Sequence, residues 1–198
     1  MKIAVFMGGT SSEKEISLKS GEAVLESLQR QGYDAYGVVL DENNQVTAFL
    51  ENDYDLAYLV LHGGNGENGK IQAVLDILGK KYTGSGVLAS ALTMDKNKTK
   101  QIAENIGIRV PKSYRDLDSI ERFPVIIKPV DEGSSKGLFL CNNKEEAGEA
   151  LKKLRKPIIE DYIVGEELTV GVLNGKALGV LKIIPQADVL YDYDSKYA

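Results

Sequence analysis

Apolar residues fall in short unmixed runs along the first half of the chain: Lys2–Met7, Ala35–Leu40 and Leu56–Leu61. Between the first two, Ile16, Val24, Leu25 and Leu28 recur at roughly helical spacing, and Gly32 is a plausible helix stop. The third run ends at His62-Gly63-Gly64, and Ile71, Val74, Leu75 and Leu78 then repeat at helical spacing. Buried strands alternating with helices predict a parallel sheet covered on both faces. Ligands of such sheets bind beyond the carboxyl ends of the strands, which makes the loops at Gly8 and His62 the first candidates.

The pattern changes after Met94. Asp95 is a good N-cap for a helix running to about Ile106 and closed by Gly107. Beyond it the strand-like pieces are shorter: Val125–Lys128, Gly137–Cys141, Pro157–Tyr162, Leu168–Leu173 and Ala177–Ile184. Asn174-Gly175 between the last two is a type I′ hairpin signal, and one helix-like stretch covers about Lys144–Leu154. This is an α+β pattern, so a domain boundary is expected near Met94. Residues 191–198 have no element to pack them and read as a loop cut off in mid-course.

Composition narrows the function classes. The chain has 198 residues, enough for two compact domains, and its 43% hydrophobic and 27% charged residues are ordinary globular values that exclude disorder. A formal net charge of −5 leaves no electrostatic footprint for nucleic acid and points to small-molecule partners. The longest apolar runs are too short to span a bilayer, and the N-terminus lacks the features of a secretory signal. A single Cys141 cannot form an internal disulfide, which fits a reducing cytoplasm.

Several motifs fail on inspection. Gly64–Gly69 matches G-x-G-x-x-G but follows the third strand, and the next strand-like piece, Lys81–Thr83, brings no acidic residue to hold a ribose. Extended to Lys70 it nearly makes a P-loop, yet Ile71 stands where Ser or Thr should be, and Glu67 puts a carboxylate into the cradle. Ser11-Ser12-Glu13-Lys14 fits S-x-x-K without its companion motifs. One His and one Cys exclude a His/Cys zinc site, and Cys141 in an apolar run reads as a small core residue. The segment from Phe123 to Gly137 says more. Lys128 lies on an apolar strand and needs an anionic partner. Gly133-Ser134-Ser135-Lys136-Gly137 offers backbone N–H groups, hydroxyls and a cation, the makings of an anion cradle; a plain hairpin tip fits these residues equally well.

Taken together, the motifs resemble those of the D-alanine–D-alanine ligases. The matching segments are Gly8–Ser17, Leu61-His62-Gly63 with Gly66–Gly69, Thr93–Lys96, Lys128-Pro129, Glu132–Ser135, Glu160, Gly165–Glu167 and Lys196-Tyr197, in family order along the whole chain. The resemblance implies an ATP-grasp fold. Residues 1–94 would form a Rossmann-like substrate domain, 95–185 a central ATP-grasp subdomain, and 186–198 the start of a truncated C-terminal subdomain.

It also implies roles. Glu13 would bind the ammonium of the first D-alanine, with His62 near its carboxylate. Ser134 and Tyr197 would hydrogen-bond with Glu13, completing a catalytic set of Glu13, Ser134 and Tyr197. Lys96 and Lys128 would hold ATP phosphates with Ser135 over them. Glu160, Asp161 and Ile163 would meet adenine, Glu167 the ribose, and Lys196 would help close the site.

The implied reaction activates one D-alanine with ATP as an acyl phosphate and captures it with the amine of a second. It uses magnesium and serves peptidoglycan precursor synthesis in a cytoplasmic protein that dimerises through its N-terminal domain. Asn68 stands where the family usually has Asp, and Lys136 replaces a usually apolar residue. The magnesium-binding Asp, Glu and Asn and a transition-state Arg have no match in the chain, so the 198 residues alone are expected to be inactive. The competing readings are an inactive nucleotide- or amino-acid-binding fragment and a ligase of D-alanine–D-lactate type. Tyr197 argues against the latter.

Overall fold

A computed structural model of the protein describes residues 1–184. The chain divides into two compact units, Met1–Ile108 and Arg109–Ala198.

The first unit is built on β1 (Lys2–Gly8), α1 (Lys14–Arg30), β2 (Asp34–Leu40), α2 (Thr47–Glu51) and β3 (Leu56–Leu59). It continues with α3 (Gly64–Glu67), α4 (Lys70–Ile77), β4 (Lys81–Tyr82), α5 (Val87–Met94) and α6 (Lys96–Asn105). The strands form one parallel sheet in the order β2-β1-β3-β4. β1 is central, and side-chain alternation sends its residues to two cores. Ala4 and Phe6 pack with Phe49, Tyr54 and Leu75 on one face. Ile3, Val5 and Met7 meet Leu18, Val24, Leu25 and Leu28 of α1 on the other. Phe6 is fully buried, its ring centroid 4.3 Å from that of Phe49, and such burial is worth about 2–3 kcal/mol. Both faces are therefore covered, as the apolar runs predict.

Asp95 caps α6 by accepting the Lys98 N–H at 3.1 Å. Because α6 packs on α5, this unit runs past the boundary expected at Met94 and ends at Ile108. α2, α5 and the two-residue β5 (Ser113–Tyr114) of the second unit are elements that the apolar pattern does not announce.

The second unit contains β5 (Ser113–Tyr114), a 3-10 turn (Leu117–Ser119), β6 (Val125–Pro129), β7 (Phe139–Cys141), α7 (Lys144–Lys153) and β8 (Pro157–Asp161). These strands make an antiparallel sheet in the order β5-β8-β6-β7. α7, capped by Asn143 through the Glu146 N–H at 2.9 Å, lies on the face carrying Val125, Ile127, Cys141 and Ile159. Cys141 is thus a core residue, and burial pushes its thiol pKa up. β9 (Glu167–Leu173) and β10 (Lys176–Ile183) form a separate antiparallel hairpin. Its turn residues Asn174 and Gly175 both have positive φ (50° and 75°), as a type I′ turn demands. No helix among the described residues is long and apolar enough to cross a membrane.

Candidate functional site

In the first unit the site forms where β1 and β3 end. Their backbone pairing finishes with the Val60 N–H donating to the Phe6 carbonyl at 2.9 Å. Beyond that point two serine hydroxyls bridge the strand ends. Ser17, fully buried near the start of α1, accepts the Gly8 N–H at 2.8 Å and donates to the Val60 carbonyl at 2.5 Å. Ser11 accepts the Glu13 N–H at 3.1 Å and donates to the His62 carbonyl at 2.5 Å. Gln45 adds a further tie: its Oε1 accepts the Asn65 amide at 2.8 Å and the Thr10 hydroxyl at 3.4 Å.

Glu13 occupies the N-cap position of α1 and is buried, at 7% exposure. Its Oε2 lies so close to Gly63 that a Cβ there would come within 2.4 Å of it, and Gly63 has φ +64°. The positive φ and the close approach of this carboxylate both favour glycine here. Glu13 and His62, expected to flank one substrate, are therefore brought to the same place.

His62 has a partner in Glu67, the carboxylate that spoils the P-loop pattern. Glu67, at the end of α3, accepts the Gly63 N–H through Oε2 at 2.9 Å and places Oε1 3.8 Å from His62 Nδ1. The Glu67 carboxylate raises the imidazole pKa above its ordinary value, against the opposing effect of burial. In return His62, together with the Gly63 N–H, lowers that of Glu67. The other imidazole nitrogen, Nε2, is buried and has no hydrogen-bond partner among the described residues. The available signal was spacing: Glu67 lies one helical turn beyond the glycine that follows His62. The Asn68 departure is mild, since its side-chain oxygen accepts the Lys70 N–H at 3.2 Å, which an aspartate could also do.

In the second unit, alternation along β6 and β8 sorts the expected ATP residues by face. Lys128 ion-pairs with the buried Glu160 on the face away from α7, which supplies the anionic partner that an ammonium on an apolar strand requires. Asp161 is oriented differently from Glu160. Its side chain points to the opposite face, where its carboxylate accepts the Tyr114 hydroxyl at 2.7 Å and pairs with Arg122. It ties β8 to its surroundings and has only backbone atoms to offer a ligand from the Lys128 face.

Ser134 and Ser135 lie in the connection between β6 and β7, both left-handed at φ 52° and 56°. Successive turns close this loop through Lys136 N–H to Gly133 carbonyl and Leu138 N–H to Ser135 carbonyl, each 3.2 Å. The segment is thus a hairpin tip with two strained non-glycine residues, the kind of backbone that collects at ligand clamps. Ile163 is exposed just after β8, and Glu167 is exposed at the start of β9. Lys96 opens α6 in the first unit. Lys196 and Tyr197 lie outside the described residues.

Comparison with known proteins adds a second line of observation. Residues 2–50 and 44–85 match the family described as D-ala D-ala ligase N-terminus, and residues 81–198 match D-ala D-ala ligase C-terminus. A D-alanine–D-alanine ligase of Fusobacterium nucleatum is 88% identical over 198 residues, covering 100% of this chain and 69% of that protein. A crystal structure of the Bacillus anthracis D-alanine–D-alanine ligase superposes with a TM-score of 0.86 at 34% identity, covering 100% of this chain and 69% of that one. Its complex with ATP gives 0.83 at 33% identity, covering 96% and 68%. On these matches, and on a glutamate and a histidine converging at the strand ends of the first unit, the chain belongs to the D-alanine–D-alanine ligase family.

Proposed function

We propose that the protein takes part in the ATP-dependent joining of two D-alanines to D-alanyl-D-alanine, a step towards peptidoglycan precursors in the cytoplasm. The observation that carries this reading is the Glu13–His62 cleft in a member of this family. A buried carboxylate suits the ammonium of the first D-alanine, and an imidazole with a raised pKa suits its carboxylate. Lys128 and Glu160 fit ATP in the same way, an ammonium for phosphate and a buried acceptor for the adenine amino group. Lys96, Ser135, Ile163, Glu167 and Lys196 complete the ATP set; Ser134 and Tyr197 join Glu13 around the substrate. In family terms residues 1–94 are the substrate domain and 95–185 the central ATP-grasp subdomain. The N-terminal domain is also the surface of a homodimer.

The chemistry balances in two transfers. A carboxylate oxygen of the first D-alanine attacks the γ-phosphorus of ATP and ADP leaves. The amine of the second D-alanine then attacks the activated carbonyl, loses a proton, and inorganic phosphate leaves. Residues of this chain act by holding charge and geometry while negative charge builds up. Magnesium, when bound with the nucleotide, neutralises phosphate charge. Residues 1–198 match none of the family's metal ligands, so turnover needs that additional ligand set.

The test is phosphate release with ATP, magnesium and D-alanine. It compares the 198-residue chain with the same chain joined to the remaining segment of the Fusobacterium nucleatum relative. The longer protein should release one phosphate per dipeptide and only in the presence of D-alanine; the 198 residues alone should not turn over. D-alanine-independent release by the longer protein would sink the ligase reading.

A further inference from the structure

We infer that Ser11 is a positioning residue that sets the separation between Glu13 and His62, and so selects a substrate with its ammonium and carboxylate on one carbon. The inference rests on the roles proposed for Glu13 and His62.

β1 and β3 run in parallel register through Phe6↔Leu59; beyond it Gly8 and Gly9, both at positive φ (88° and 91°), stay bonded to β2 through Leu40 and no longer pair with β3. The His62 carbonyl lies past the end of that ladder. Ser11 Oγ takes over the task, accepting the Glu13 N–H on one side and donating to the His62 carbonyl on the other. One oxygen atom therefore links the backbones of the two residues that would grip the substrate. Along the chain Ser11 and His62 are 51 residues apart, so no short covalent path fixes this distance.

The spacing matters because of the ligand's own geometry. In an α-amino acid the ammonium and carboxylate share one carbon, and the groups that recognise them must be held to a fraction of an ångström. In β-alanine an extra methylene separates the same two charges. A site with Ser11 in place should bind D-alanine and discriminate against β-alanine. A site without it keeps both charged groups but lets their separation drift. Ser17 contrasts with Ser11: its bridge joins Gly8 to Val60, before the recognition groups begin, and serves the fold.

The experiment exploits the chain's single histidine. With isotope-labelled histidine, His62 gives one set of imidazole resonances whose shift reports amino-acid binding without turnover. D-alanine and β-alanine are titrated into the 198-residue protein and into Ser11→Ala, Ser11→Thr and Glu13→Gln, with circular dichroism confirming that each is folded. Ser11→Ala should raise the D-alanine Kd at least fivefold and narrow the D-alanine/β-alanine ratio. Ser11→Thr, which keeps the hydroxyl, should restore both. If Ser11→Ala weakens both ligands equally, or leaves D-alanine within twofold while Glu13→Gln weakens it, the assignment of Ser11 is overturned and the site stands. If wild-type His62 does not respond to D-alanine, or Glu13→Gln binds it unchanged, the reading of the site itself fails.

Discussion

Ser17 holds two backbone groups with one buried oxygen, so its loss leaves the Gly8 N–H and the Val60 carbonyl without that partner. Ser17→Ala should lower the stability of the first unit by about 2–3 kcal/mol, read from the denaturant midpoint. The His62–Glu67 pair gives a pH dependence. A raised histidine pKa means that the pair's contribution is fully present below the unfolded value and is lost as pH rises through the folded one. Glu67, with a lowered pKa, loses its contribution as pH falls through that lower value. D-alanine affinity should therefore decline as pH climbs through the His62 titration, which nuclear magnetic resonance should place above 6.5. Glu67→Gln should shift both the titration and the decline to lower pH; unchanged curves would separate Glu67 from His62. His62 and Lys128 were legible as isolated polar or charged residues beside apolar runs, whereas Glu13 stood out only through the family resemblance. Ser11 and Ser17 were not, because their carbonyl partners lie 51 and 43 residues away and a serine near a helix start looks like an ordinary cap.

At the level of elements, a clear period goes with correct anticipation and a short or uniform segment with a miss. α1 and α4 show their apolar stripes openly, and the type I′ turn at Asn174-Gly175 follows from two residues. α2 is five residues long, too short for a repeat to register, and β5 is a two-residue strand that exists only through its pairing with β8. α5 is apolar nearly throughout, with only Ser90 buried, so its sequence has little polar face to set a helical period. The β5–β8 pairing is reinforced by the Tyr114 hydroxyl on Asp161. Asp161→Ala should destabilise the second unit by about 1–2 kcal/mol, chiefly through Tyr114, because Arg122 is largely exposed and screened. Arg122 and Tyr114 hold the Asp161 pKa down, so the stabilisation is present above the ordinary carboxyl range and fades as pH falls through the lowered value. Denaturation of the wild type and the variant at neutral and acid pH should show the gap closing.

For the whole molecule, an α/β unit followed by an α+β unit was readable from the change in strand length and spacing. The exact division was not, since it depends on α6 packing against α5, a contact that residue periodicity does not encode. Residues 107–109 between the units are exposed and carry no helix or strand. Brief trypsin treatment should cut after Arg109, and the N-terminal fragment should keep the His62 response to D-alanine; loss of that response would show that the first unit does not hold the amino acid by itself. The Lys128–Glu160 pair has a different consequence. Any anion that drew the ammonium away would weaken the charge pairing of a buried carboxylate, a costly trade. Sulfate has no donor to give back. On the ATP roles proposed above, a nucleotide would bring phosphate for the lysine and an N–H donor for the glutamate, so the resting ion pair would act as a filter against the simple anions that crowd a cell.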